Sequence, residues 1–139
     1  DAGEWNDIHP LDKKTVARRL FLGARKIVYG KKVAASGPIY KGMETKGNRI
    51  ILSFDDAGRG LSCRGGRLKH FAIAGEDRKF VWADAVIKGG KVVVSSPEVE
   101  HPVAVRYAWS NNPAANLFNA QGLPAIPFRT DSWKGVTEK

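Results

Sequence analysis

Apolar residues recur along this chain with two periods, and the change comes once, at Gly30. Before that glycine, Val16, Leu20, Ala24, Ile27 and Val28 fall at helical spacing and form one stripe. The spacing predicts a helix over 12–29. Asp12 can cap its first turn, just after Pro10 has set the direction of entry. Gly30 stands where a left-handed C-terminal cap costs least, and Lys26 suits the negative end of the helix dipole. Phe21 and Leu22 widen the stripe, so the helix is expected to pack on two sides.

After Gly30 the texture becomes one of short β-rich runs between turn signals. The predicted strands are 32–36, 40–45, 49–54, 67–74, 80–88, 91–96 and 103–109. Gly47-Asn48, Gly65-Gly66, Gly75-Glu76-Asp77, Gly89-Gly90 and Pro97 separate them. Gly89-Gly90 is the sharpest signal, because tight hairpin turns need positive φ. Phe71 and Ile73, and then Val103, Val105, Tyr107 and Trp109, alternate as a sheet with one buried face requires. Trp82 and Trp109 both fall in strand patterns, so both are expected in the core. Many short strands at near-regular spacing predict a mainly β fold, an antiparallel sandwich or barrel preceded by one helix. Residues 110–131 are irregular and rich in Asn and Pro, a loop expected to be functional or to pack over a neighbouring domain. Residues 132–139 read as a poorly tied tail.

Composition changes this picture little. The 139 residues suffice for one domain with a real core. No apolar run approaches the roughly 20 residues needed to span a bilayer, so no membrane partner is expected. The formal charge of +9 raises nucleic acid as a partner. The excess is divided, however, between the helix region (Lys13, Lys14, Arg18, Arg19, Arg25, Lys26, Lys31, Lys32) and scattered strand and turn positions. Solvated faces account for it better than a nucleic-acid groove. Cys63, the single cysteine, excludes an internal disulfide framework and reads as a structural thiol.

Candidate chemistry concentrates at Asn6-Asp7-Ile8-His9-Pro10. Histidine as a residue type titrates close to neutral pH, and a nearby carboxylate can fix its tautomer and stabilise its charged form. His9 is therefore a candidate general base and Asp7 its partner, although the same tripeptide also occurs in ordinary helix-entry loops. Nothing upstream could carry a nucleophile, so the chain is expected to be the tail end of an enzyme. No Gly-x-Ser-x-Gly elbow is present, and the glycines around Ser62 are not followed by a phosphate-binding Lys. His9, His70 and His101 lack a second ligand at a helical or hairpin offset, so no metal and no cofactor is expected. Asp55-Asp56 and Glu76-Asp77 read as solvated turns. Trp5, beside His9, could line a site or pack under its loop. Exposed aromatics on a sandwich would instead suit a carbohydrate-binding module without catalysis, which stands as the alternative.

Several blocks carry a resemblance. Asn6-Asp7-Ile8-His9-Pro10, Tyr29-Gly30, Ser36-Gly37-Pro38-Ile39-Tyr40 and Phe71-Ala72-Ile73-Ala74-Gly75-Glu76-Asp77 come first. Val94-Ser95-Ser96-Pro97, Val103 through Trp109, Asn111-Asn112-Pro113, Gly122-Leu123-Pro124-Ala125 and Pro127-Phe128-Arg129-Thr130-Asp131 follow in order. Together they resemble the C-terminal portion of the sialate O-acetylesterases, which are SGNH-type carbohydrate esterases. The resemblance implies removal of acetyl groups from sugar hydroxyls, sialic acid included, by a Ser-His(-Asp) mechanism. His9 would be the catalytic histidine. The serine and the oxyanion donors would lie in an upstream SGNH catalytic domain, in the same polypeptide or a separate chain, so this chain alone is expected to be inactive. Residues 1–30 would end that α/β domain, 31–131 would form a jelly-roll-like β-sandwich and 132–139 a tail. A periplasmic or secreted location would follow. One departure stands out: the SGNH pattern is Asp-x-x-His, and Asn6 occupies the position three before His9. That leaves Asp7 as the nearest carboxylate, with Asp1 and Glu4 as substitutes.

Overall fold

A computed structural model describes residues 1–135. One helix, α1 (Lys13–Ile27), precedes ten strands. These are β1 (Ile39–Lys46), β2 (Arg49–Asp55), β3 (Leu61–Cys63), β4 (Phe71–Ala74), β5 (Val81–Trp82), β6 (Asp84–Lys88), β7 (Lys91–Ser95), β8 (Ala104–Tyr107), β9 (Leu117–Asn119) and β10 (Phe128–Arg129). The protein is mainly β, and every strand pair is antiparallel.

Two four-stranded sheets, ordered β1-β2-β7-β6 and β10-β8-β4-β5, enclose the core, and a β3-β9 ribbon accompanies them. In the first sheet, Ile50 pairs with Val94 and Leu52 with Val92; Ala85 and Ile87 continue the same two rows on β6. Residues directly opposite each other share a face, so these rows form one apolar surface. Ile50, Leu52, Val92 and Val94 on it are fully buried. In the second sheet Phe71, Tyr107 and Phe128 lie in one row, and Ile73 pairs with Val105 in the next. Phe128 joins the layers. Its ring stacks on Tyr40 at 4.9 Å and meets Phe54 edge-on at 5.7 Å, while Tyr107 lies 5.7 Å away. Burying each such side chain contributes about 1.5–3 kcal/mol.

Both hairpin signals appear as turns. Gly89 (φ 56°) and Gly90 (φ 73°) connect β6 to β7, with Lys88 opposite Lys91. Gly47 (φ 56°) opens the β1–β2 turn, with Lys46 opposite Arg49. The helix begins as expected: Asp12 accepts the Thr15 N–H at 3.0 Å, and the Thr15 side chain together with this N–H holds its carboxyl below the usual carboxylate range. Gly30 (φ 59°) follows its last turn.

Five expectations need correction. Residues 32–36 form no strand. The segment 67–74 is extended as a strand only at its end, and 80–88 divides into β5 and β6 at Ala83. Residues 110–131 are more ordered than their composition suggests, since they hold β9 and β10. Side-chain amides tie this stretch down. Fully buried Asn119 donates to the carbonyls of Ser36 (3.0 Å) and Asp56 (3.3 Å) and accepts from the Gln121 and Leu123 N–H groups. Asn116 donates to the Arg64 and Arg67 carbonyls, both at 2.7 Å, and accepts the Lys69 N–H at 2.9 Å. Finally, the start of the expected tail is anchored: Trp133 donates its N–H to Asp131, and its carbonyl accepts from Arg129. Residues 136–139 of that tail lie outside the described residues.

The helix differs most from expectation. Its apolar stripe was to pack on two sides, yet none of its residues is buried. Leu20 is 71% exposed, and Phe21, Ile27 and Val28 are exposed too. Its link to the sandwich is polar, an ion pair between Lys26 and Asp56 at 3.7 Å.

Candidate functional site

The N-terminal loop draws Asp7 and His9 together. The Asp7 carboxylate accepts the His9 backbone N–H at 2.8 Å, and the same oxygen lies 3.3 Å from His9 Nδ1. One carboxylate thus fixes both the backbone and the ring. With Nδ1 turned to Asp7, Nε2 is the nitrogen left for a substrate or a nucleophile. The His9 side chain is 82% exposed, so no part of the sandwich covers it.

The substitute carboxylates are engaged elsewhere. Arg19 forms two parallel hydrogen bonds to Asp1, both 2.7 Å, and Glu4 accepts the Leu11 N–H at 3.1 Å. Trp5 is exposed and packs under nothing. Cys63 is half-buried, and burial pushes its thiol up. The Asn116 amide lies 3.3 Å from its sulfur. Among the described residues no group of three or more His, Cys, Asp or Glu could hold a metal ion.

A second constellation lies on the outside of the second sheet, where the sequence had placed core tryptophans. Trp82 is 69% and Trp109 55% exposed, and both line one groove with His70, Phe80 and Arg106. The reasons are local. Val81, Ala83 and Ile87 pack against the core and Ala85 is buried in it, so Trp82, Asp84 and Val86 fall on the outward phase of one alternation. At Ala108 the chain takes φ 53°, which ends β8 and reverses the phase. Ala108 is buried in the place of Trp109, and the indole turns out. The outward phase of 81–87 was readable from its small and apolar residues; the kink at Ala108 carries no signal of its own in the sequence.

Against known proteins, no protein-family model matches the chain. Among curated proteins it is 32% identical over 137 residues to mouse (Mus musculus) sialate O-acetylesterase, covering 89% of this chain. The human (Homo sapiens) protein of the same name is 30% identical over 135 residues. Among solved structures, a carbohydrate acetylesterase from Xanthomonas citri superposes on 96% of this chain with 47% identity and a TM-score of 0.92.

The chain is related to the sialate O-acetylesterases.

The relation is to the C-terminal portion of that family, as the sequence blocks implied. The chain spans 25% of the length of the mouse relative and 31% of the Xanthomonas citri chain. It is thus an acetylesterase-related partial domain, mainly β with one helix. Within it, blocks far apart in sequence touch. The Ser36-Gly37-Pro38 block meets Leu123-Pro124, with the Ile126 N–H on the Pro38 carbonyl at 3.1 Å.

Proposed function

We propose that the chain is the C-terminal segment of a carbohydrate O-acetylesterase that hydrolyses acetyl esters on sugar hydroxyls, sialic acids included. Residues 1–30 complete an upstream SGNH hydrolase domain and 31–131 form the sandwich that follows it. The observation that carries this reading is the pairing of an exposed, carboxylate-oriented His9 with a helix that leaves Leu20, Phe21, Ile27 and Val28 exposed. Both features call for the same missing neighbour, a domain that supplies the serine and buries Leu20, Phe21 and Ile27.

In that setting a serine Oγ attacks the acetyl carbonyl carbon while His9 Nε2 takes its proton. The resulting imidazolium is stabilised by Asp7 at Nδ1. As the tetrahedral intermediate collapses, the proton passes to the departing sugar oxygen, and the acetyl group stays on the serine. Water then attacks the acetyl-serine, again giving its proton to His9. The serine recovers that proton as acetate leaves. The oxyanion donors belong to the upstream domain. Asp7 replaces the acid that the SGNH pattern would place at Asn6.

The test uses p-nitrophenyl acetate. The longer esterase containing this chain is expected to lose roughly 10⁶-fold in kcat on His9→Ala, with its melting temperature unchanged. Asp7→Asn is expected to cost less, because it removes orientation rather than the base. The chain alone is expected to show no turnover. Turnover by the chain alone that disappears in His9→Ala would overturn the proposal.

A further inference from the structure

Nothing in the esterase reading requires the groove on the outer face of the second sheet, and none of its lining residues belongs to the N-terminal segment. It encloses about 310 Å³, near the lower end for small-molecule sites. Its shape follows from one small residue. Ala72 of β4 pairs with Trp82 of β5 on one side and with Arg106 of β8 on the other. Cross-strand partners share a face, so a methyl group lies between two of the largest side chains, and the row is hollow at its middle.

The walls are held from behind. The His70 ring meets Trp82 edge-on at 5.8 Å. The Arg106 guanidinium lies 4.1 Å over the Phe80 ring, and its Nε and Nη2 both donate to Asp131 at 2.9 Å. Arg129 stands 5.6 Å from the centroid of Trp109 and donates to the Trp133 carbonyl. Ordering the indoles therefore costs little further entropy on binding. The nearest cation is already neutralised by the Asp131 carboxylate, whose side chain is 1% exposed. What remains is aromatic faces with a few polar edges, among them His70 and Ser110.

We propose that this groove binds a neutral pyranose ring of a polysaccharide chain, with Trp82 and Trp109 as stacking platforms. A sugar ring offers axial C–H bonds to an aromatic face and hydroxyls at its rim. That match of apolar body to polar edge is what exposed indoles among polar side chains provide. The Arg106–Asp131 pairing occupies the one guanidinium that lines the groove, so the lining itself does not call for an anionic ligand. The site would hold the carbohydrate carrier near the esterase rather than take part in ester cleavage.

The test is a titration of the 15N-labelled chain with cellohexaose, xylohexaose and mannohexaose, following the indole N–H signals, with sialyllactose as the anionic arm. Saturable shifts of the Trp82 and Trp109 signals by at least one neutral hexasaccharide, with millimolar or tighter affinity, are expected. Trp82→Ala and Trp109→Ala should each weaken binding roughly tenfold. Ala72→Phe fills the hollow from an outward position and should abolish binding while the rest of the spectrum is kept. Three results would overturn the proposal: no shift with any neutral hexasaccharide at millimolar concentration, unchanged affinity in Ala72→Phe, or binding of sialyllactose alone. Esterase turnover of the longer protein on p-nitrophenyl acetate, lost in His9→Ala and kept in Ala72→Phe, reports on the catalytic reading separately, so either can fail without the other.

Discussion

The helix and the sandwich carry similar apolar side chains and use them in opposite ways. In the sandwich, Leu52 is 0% exposed and packed between rows from two sheets; in the helix, Leu20 is 71% exposed. The sandwich closes on itself through Phe128 and the Asn119 bonds. The helix leaves Leu20, Phe21, Ile27 and Val28 exposed, and an ion pair from Lys26 to Asp56 links it to the sandwich. Amphipathicity therefore marks which surface an element is built to bury. It does not say whether the burying partner lies within the same stretch of chain. His9, in the loop before the helix, is exposed as well.

A matched pair of substitutions tests that contrast most strongly. Leu52→Ala should cost about 3–4 kcal/mol in urea unfolding, since a buried leucine leaves a cavity. Leu20→Ala in this chain should change stability by no more than about 0.5 kcal/mol. In the longer esterase, the same Leu20 substitution should cost about 2 kcal/mol or more if the proposed domain covers it. Equal effects in the two contexts would break the comparison.

Within the sandwich, Asn119→Ala strips partners from the Gln121 and Leu123 N–H groups and the Ser36 and Asp56 carbonyls. A loss of roughly 3 kcal/mol is expected, because buried groups left unpaired each cost about 1–3 kcal/mol. Denaturant midpoints would measure it, and faster amide exchange at Leu123 should accompany it. Gly37→Ala is next: a Cβ there would lie 1.9 Å from the Pro124 carbonyl oxygen. That neighbour is backbone and cannot swing aside, so a cost of about 2 kcal/mol follows, read as a fall in melting temperature. A helix glycine makes the contrast, since a Cβ at Gly23 meets nothing within 4 Å. Gly23→Ala should be neutral or slightly stabilising.

The smallest effect concerns acid. Hydrogen bonds from Arg106 hold the Asp131 carboxyl below its usual range, against the opposing effect of burial. A carboxyl depressed in the folded state stabilises above its unfolded pKa of about 3.9, and that contribution is lost as pH falls through the folded value. Through this pair, unfolding midpoints should therefore not vary with pH near neutrality and should decline below about pH 4. Asp131→Asn should lower stability at neutral pH and remove that part of the decline. The acid dependence of the wild-type chain would persist unchanged in the variant if the pair contributed nothing.

Much of this architecture was legible in the residues. Spacing fixed the helix to within a turn, the two glycine hairpins lay where the turn chemistry placed them, and Phe71, Ile73, Val105 and Tyr107 faced the core. Three kinds of information were not legible. Short strands such as β9 and β10 have no period long enough to detect, and their positions depend on side-chain amides from Asn116 and Asn119. The phase of Trp109 depended on a left-handed alanine, a conformation that alanine does not announce. The helix's lack of cover could not be read from a stripe that looks the same whether or not a partner is present. At the candidate site, Asp7 meets His9 because the loop turns the carboxylate back onto it, which the spacing alone did not decide. The aromatic groove was missed because Trp82 was counted as core without regard to its phase, and Trp109 by a phase that Ala108 reverses.

The Asn119 amide also sets an order of events. Its bonds to Ser36 and Asp56 span 83 and 63 residues. Contacts this distant in sequence are slow to form, because a long loop must close before any bond rewards it. On the ribosome, Ser36 and Asp56, which flank the first hairpin, must wait until residue 119 has emerged before their carbonyls find this donor. Synthesis stalled before that point should leave the early strands without their clasp and open to proteolysis, even though every residue of the β1–β2 hairpin is already made.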